Sequence, residues 1–235
     1  MNLRDIVSTL KNPIDKWSRY FDVYQRYLEK YEGKNITFVE VGVFKGGSLE
    51  MWSKFFGPES KLYGIDVDTN CLNIKYDNPN IKIVIGDQGS PKFWDEFLPT
   101  IEPIDIFLDD GGHYMDQQIL TFEKVWSQVK RNGVYICEDT HTSYFQHFNS
   151  SYKNPNSFIE YSKDFADVLH LTDTSMYEPI INANYNHVIN SHENLVKKKF
   201  AWDLSSIHFY DSMVVVEKND RVKMERENII TERKY

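Results

Sequence analysis

The sequence predicts an α/β protein built on a mostly parallel, doubly wound sheet of seven strands whose last strand runs antiparallel. Three observations lead there. From Asn35 onward, short runs rich in Ile, Val and Phe alternate with runs whose apolar residues recur at helical spacing. Glycine and proline punctuate the alternation, as at Gly57-Pro58, Pro99 and Asn132-Gly133. The chain then ends in two strand-like runs joined by a tight turn.

The elements follow in order. Pro13 to Tyr31 reads as an N-terminal helix, with Trp17, Tyr20, Phe21, Tyr24, Tyr27, Leu28 and Tyr31 at helical spacing. Pro13 suits a first turn and Gly33 a stop. Its aromatic stripe predicts packing against the sheet or a subunit neighbour. Residues 1–34 thus form a helical segment ahead of a domain spanning 35–218. The first strand is Ile36 to Val41, followed by a helix from Gly46 to Phe56. Leu62 to Asp66 is the second strand, Ile81 to Ile85 the third, and Pro91 to Leu98 a short helix. Ile104 to Leu108 is the fourth strand. A helix with Ile119, Phe122, Trp126 and Val129 on its buried face follows and stops at Asn132-Gly133. Val134 to Cys137 is the fifth strand. Ser157-Phe158-Ile159-Glu160 has the capping-box pattern and opens a helix burying Phe158, Tyr161, Phe165 and Val168. Ile207 to Tyr210 and Met213 to Val216, joined at Asp211-Ser212, form the closing hairpin. A charged tail, 219–235, completes the chain.

Composition excludes several classes. A formal net charge of −8 argues against a nucleic-acid surface, and Lys197-Lys198-Lys199 reads as a solvated face. The two cysteines, Cys71 and Cys137, cannot make a disulfide framework and read as free thiols of a reducing compartment. No leader and no membrane-spanning run is evident, so the expected location is cytoplasmic. The aromatic helix offers an interface for a homo-oligomer.

The chemistry concentrates at strand ends, where open parallel sheets bind ligands. Glu40-Val41-Gly42-Val43-Phe44-Lys45-Gly46-Gly47-Ser48 is a glycine-rich strand-to-helix turn. It is neither G-x-G-x-x-G nor a phosphate-binding Gly-Lys-Ser/Thr loop. Asp66 ends the second strand, where an acid accepts hydrogen bonds from ribose hydroxyls. Asp87 and Gln88 follow the third, placed to meet an adenine edge. Acids at three successive tips suit a cationic adenosine ligand such as S-adenosylmethionine. Ser48 and Asp109 join these as cofactor-side candidates.

The fourth and fifth strands run into Asp109-Asp110-Gly111-Gly112-His113 and Glu138-Asp139-Thr140-His141. Carboxylates at buried tips need compensation, and Asp110, Glu138 and Asp139 form a ligand set for magnesium or another hard divalent cation. Such a site leaves positions for two vicinal hydroxyls. His113, with an ordinary pKa of about 6.5, is the candidate base. His141 is placed in the supporting shell or against substrate, with Tyr144 beside it.

Taken together these motifs resemble the metal-dependent sugar O-methyltransferases of macrolide-antibiotic pathways, and more loosely the aminocoumarin sugar methyltransferases. The resemblance runs from Pro13 to Tyr144, including Asp15-Lys16-Trp17, thins to Leu204 and returns in the hairpin. It implies a Rossmann-like class I methyltransferase fold. It implies that Glu40, Gly42 and Gly46 line the methionine part of S-adenosylmethionine, that Asp66 holds the ribose and that Asp87 with Gln88 holds the adenine. It implies magnesium on Asp110, Glu138 and Asp139, with His113 as base. The family usually carries Ser at the position of Gly112, so one hydrogen bond is lost here. The expected reaction is methyl transfer to a sugar hydroxyl, on a free, nucleotide-linked or glycan-linked acceptor. Residues 141–206, rich in Tyr, Asn and His (Tyr177, Tyr185 and His187 among them), are expected to cover the substrate. The alternatives are methylation of a catechol-like diol, a nicotinamide-dependent reaction lacking its fingerprint, and a non-catalytic adenosyl-ligand-binding subunit.

Overall fold

Every predicted strand is present in the computed structural model, which describes residues 2–170 and 203–219. They are β1 (Thr37–Val41), β2 (Lys61–Asp66), β3 (Ile81–Ile85), β4 (Ile104–Asp109), β5 (Val129–Cys137), β6 (Leu204–Tyr210) and β7 (Met213–Lys218). They form one sheet in the order β3-β2-β1-β4-β5-β7-β6. The β7 strand runs antiparallel to both of its neighbours, and the other pairs are parallel. Tyr210 pairs with Met213, so Asp211 and Ser212 form the two-residue turn.

Both faces of the sheet are covered, and the strands alternate between them. Phe38, Leu62, Ile106, Leu108 and Ile136 face the helices α1 (Leu3–Val7), α2 (Tyr20–Leu28) and α3 (Gly47–Phe55). Val39, Ile65, Phe107, Tyr135 and Cys137 face α4 (Pro91–Phe97), α5 (Met115–Val125) and α6 (Phe158–His170). This two-sided burial is why the strands read as continuous apolar runs.

Three expectations need correction. The N-terminal helix does not begin at Pro13. Residues 13–19 are non-helical, α2 starts at Tyr20, and the unforeseen α1 lies upstream. Tertiary bonds override helical spacing here: Glu50 accepts the amides of Lys11 and Asn12, and the Pro13 carbonyl accepts the Gly47 amide at 3.1 Å. The α5 helix stops at Val125, and Val129 and Asn132-Gly133 belong to β5. Asn132 takes a left-handed φ of 62° there, and the β4–β5 register shifts between Ile104 and Ile106, so the residues read as a helix end are an irregularity in a strand. At α6 half of the capping box forms: Ser157 Oγ accepts the Glu160 amide at 3.2 Å, while the Glu160 carboxylate pairs with Lys163.

The charged tail beyond Asn219, Lys197-Lys198-Lys199, and Tyr177, Tyr185 and His187 of the substrate-covering stretch lie outside the described residues. Among the described residues, no helix is long and apolar enough to cross a membrane.

Candidate active site

The strand ladder continues past the tips of β1, β4 and β5 and sets their terminal residues side by side. The Gly42 amide donates to Ile65 O, the Asp110 amide to Val41 O and the Glu138 amide to Asp109 O, at 2.8–3.0 Å. A cleft of about 590 Å³ opens over these ends. Its walls include Gly42, Phe44, Asp66, Asp110, His113 and Asp139, with Lys16, Trp17 and Tyr20 from the N-terminal segment. A second lobe of about 190 Å³ shares Gly42, Asp66 and Gly111 with it and extends past Val67, Asp87 and Gln117.

The first lobe is built from unusual backbone. Phe44, His113 and Asp139 all sit at positive φ, between 51° and 59°, and all three line the cleft. Such conformations cost of order 1–3 kcal/mol each and persist where the surroundings impose them. Gly42, at φ 93°, is obligatory: a Cβ there would lie 1.9 Å from the Asp110 carbonyl oxygen. Gly46, at φ 85°, starts α3 against the Tyr76 hydroxyl.

Several cofactor-side candidates prove to be internal supports. Asp66 lines both lobes, but its carboxylate also accepts the amides of Val43, Phe44 and Asp68, and so fixes the glycine turn. Asp87 is exposed at the rim of the second lobe and accepts the Gly89 amide. Gln88 borders that lobe, yet its amide is engaged with Asp109 Oδ1 at 2.6 Å and the Gly112 amide at 3.0 Å. Asp109 does not line the cleft. It is fully buried, accepts from Gln88 and Tyr135, and burial pushes its carboxyl up to about 7. Its side chain takes the opposite face of β4 from the cleft, which is what strand alternation dictates one residue before Asp110. Ser48 is buried too, donating to Glu40 at 2.5 Å. Glu40 lies beneath the cleft floor, with its carboxyl raised to about 7 by burial, against the pull of Lys16 and Ser48.

At the reacting end, Asp110, His113 and Asp139 converge, their ligand atoms all within 4.8 Å of one another. His113 Nε2 stands 3.5 Å from Asp139 Oδ2 and 4.0 Å from Asp110 Oδ1. His113 Nδ1 is buried, and among the described residues it has no partner. Glu138 is not part of this convergence. Its carboxylate is 1% exposed and turned to Lys16 and to the Tyr24 hydroxyl. Burial and the adjacent Asp110 push its carboxyl well up. Burial likewise raises Asp110, with Lys16 opposing. The donor set fits a hard divalent cation, since two carboxylates from neighbouring strand tips face an open cleft, with a third directly behind. His141 stands beside the cleft, its Nδ1 against Ser212 Oγ and 3.9 Å from Asp139. Tyr144 is exposed and pairs with Tyr152 away from the cleft.

Sequence reasoning missed the contribution of the N-terminal segment. The Tyr20 hydroxyl donates to Asp139 Oδ1 at 2.6 Å, Tyr24 reaches Glu138, and Lys16 reaches Asp110 and Glu138. The signal was present in the i, i+4 spacing of Tyr20 and Tyr24, which puts two polar tips on one helix face.

The chain is similar to curated sugar O-methyltransferases. It is 29% identical over 171 residues to the 8-demethyl-8-α-L-rhamnosyl tetracenomycin-C 2'-O-methyltransferase of Streptomyces olivaceus, covering 68% of this chain and 44% of that protein. It is 26% identical over 204 residues to the mycinamicin VI 2''-O-methyltransferase of Micromonospora griseorubida, covering 83% and 47%. The chain thus spans about half the length of the curated relatives it matches. No protein-family model matches it. Among solved structures, the MycE methyltransferase of the mycinamycin pathway, in complex with Mg and SAH, superposes with a TM-score of 0.75 at 22% identity. That match covers 94% of this chain and 54% of MycE. The fold is therefore that of a class I methyltransferase.

Proposed function

We propose that this chain carries the catalytic domain of an S-adenosylmethionine-dependent, magnesium-assisted O-methyltransferase acting on a sugar hydroxyl. The observation that carries the reading is the meeting, in one cleft, of two kinds of site. The glycine turn and Asp66 of the adenosyl-binding type adjoin the convergence of Asp110, His113 and Asp139. The similarity to sugar 2'-O-methyltransferases and the magnesium in the MycE complex agree with it. When bound, S-adenosylmethionine would supply an electrophilic methyl, and magnesium would supply Lewis acidity to an acceptor hydroxyl.

The chain's own groups do the rest. Gly42, whose missing side chain admits the Asp110 carbonyl, brings the tips of β1 and β4 together under the cleft at the switch from one half of the sheet to the other. Asp66 presents its remaining acceptor capacity to ribose hydroxyls, and the lobe between Val67, Asp87 and Gln117 takes the base. Asp110 and Asp139 hold the cation, with Glu138 available behind them. His113 Nε2, 3.5 Å from Asp139, removes the acceptor's hydroxyl proton. Trp17, 53% exposed at the cleft, offers a flat apolar face to a sugar ring. Most of the gain comes from positioning and from stabilising the developing alkoxide. The acids in the lining, Asp15, Asp66, Asp68, Asp110, Glu138 and Asp139, favour a sugar diol over a catechol, which needs a mostly apolar slot.

Methyl transfer from labelled S-adenosylmethionine to glycosides bearing vicinal hydroxyls, with magnesium or with EDTA, tests the reading. His113→Ala should abolish turnover while leaving adenosyl-ligand affinity nearly unchanged, and Asp139→Asn should remove the magnesium response. Full turnover in His113→Ala would exclude it as base.

A further inference from the structure

The cation site holds a positive charge of the protein's own. Lys16 lies on the non-helical segment between α1 and α2, and its side chain is only 3% exposed. Its ammonium meets Asp110 Oδ2 at 2.5 Å, both oxygens of Glu138 at 3.1 Å and Glu40 Oε1 at 3.4 Å. An ammonium has three protons, so the carboxylates around it offer more acceptors than it can satisfy. A second observation points the same way. Glu40 Oε2 is buried and, among the described residues, without a hydrogen-bond partner. Three carboxyl groups share this one buried ammonium, and so dense a cluster of acids leaves acceptor capacity for a further cation.

Resting on the functional reading above, we propose that Lys16 is a placeholder for the divalent cation. The ammonium keeps Asp110 and Glu138 together in the metal-free protein. It is displaced when the cation enters, and its departure moves the segment that carries Trp17 at the mouth of the cleft.

Three features carry this. Lys16 occupies oxygens of two of the three carboxylates that the sequence assigns to the cation. A hard cation that recruits Asp110 Oδ2 and Glu138 competes for those oxygens with the ammonium that now holds them. Glu138 lies outside the convergent trio because Lys16 and Tyr24 engage it, so release of Lys16 frees the missing third carboxylate. The segment's start is fastened to α3 through Glu50 and Pro13, and its end continues into α2. Between them Lys16 points inward and Arg4 holds the Ser18 carbonyl from outside, while the adjacent Trp17 is exposed. Cation binding and the shape of the acceptor wall are thereby linked.

Hydrogen-exchange mass spectrometry of the wild-type protein in saturating MgCl2 and in EDTA tests this, beside calorimetric titration of MgCl2 into wild type and Lys16→Met. Magnesium should speed exchange of the Tyr20 amide, which donates to the Trp17 carbonyl, by about tenfold, the signature of a local opening. Lys16→Met should bind magnesium about tenfold tighter, because it no longer has to be displaced. Magnesium binding to wild type with unchanged or slowed exchange at Tyr20 would overturn the placeholder and leave the functional reading standing. Unchanged or weaker magnesium affinity in a folded Lys16→Met would do the same. If that variant fails to fold, the wild-type exchange decides. No magnesium binding to wild type would overturn both.

Discussion

Residues at the centre of the cleft were legible in proportion to how local their signal is. Asp110, His113 and Asp139 announce themselves because each lies within four residues of the end of an apolar strand, where an ionisable group is out of place unless it has work to do. Lys16 was not legible. Its partners are 94 and 122 residues away, and nothing nearby distinguishes it from a solvated lysine. Asp109 was misplaced because adjacent acids look equivalent in sequence, whereas alternation sends them to opposite faces of β4. Two outcomes follow at this scale. Gly42→Ala should lower the melting temperature and weaken adenosyl-ligand binding, since the new methyl would strike the Asp110 carbonyl; thermal melts and calorimetry would read both. Glu40 carries a pH dependence. Its carboxyl is raised from an ordinary 4.5 to about 7, so the neutral form is the one that folding favours. The stability it contributes is complete below about 4.5 and is lost as pH rises through about 7. Between pH 5 and pH 8 the wild type should lose more stability than Glu40→Gln. Parallel melting curves for the two would contradict the assignment.

Elements were read well wherever local pattern and tertiary packing agree. The β3 strand and the start of α4 match the sequence expectation because Ser90 caps the helix, accepting the Phe93 amide, and Pro91 suits its first turn. They diverge where tertiary contacts win. Helical spacing continues from Trp17 into α2, but the bonds to Glu50, Gly47 and the buried carboxylates hold residues 13–19 out of a helix. The end of α5 was overextended because the Asn132-Gly133 pair imitates a helix stop while serving as a kink in β5. The α6 cap gives a quantitative check. Ser157→Ala removes the one capping bond seen there and should cost about 1 kcal/mol in urea unfolding, without altering adenosyl-ligand affinity.

For the molecule as a whole, strand order explains where the chemistry sits. The sheet grows outward from β1 through β2 and β3 on one side and through β4 and β5 on the other. The chain therefore leaves β1 and β4 in opposite directions, and a crevice opens above their carboxyl ends. That crevice receives the glycine turn from one half and the carboxylates from the other. The alternation of elements made this architecture readable, whereas the wall supplied by α2 and the segment before it was readable only as an apolar stripe. Ligand binding should register globally: saturation with an adenosyl ligand to about a hundredfold above its dissociation constant stabilises the fold by about 2.7 kcal/mol.

Calorimetric titration with S-adenosylhomocysteine and, separately, with NAD, on wild type and Asp66→Ala, decides whether the cleft is an adenosyl-ligand site. The adenosyl ligand should bind wild type, Asp66→Ala should weaken it severely, and NAD should give no heat. Tight NAD binding, or indifference of the wild type to the adenosyl ligand, would contradict that assignment.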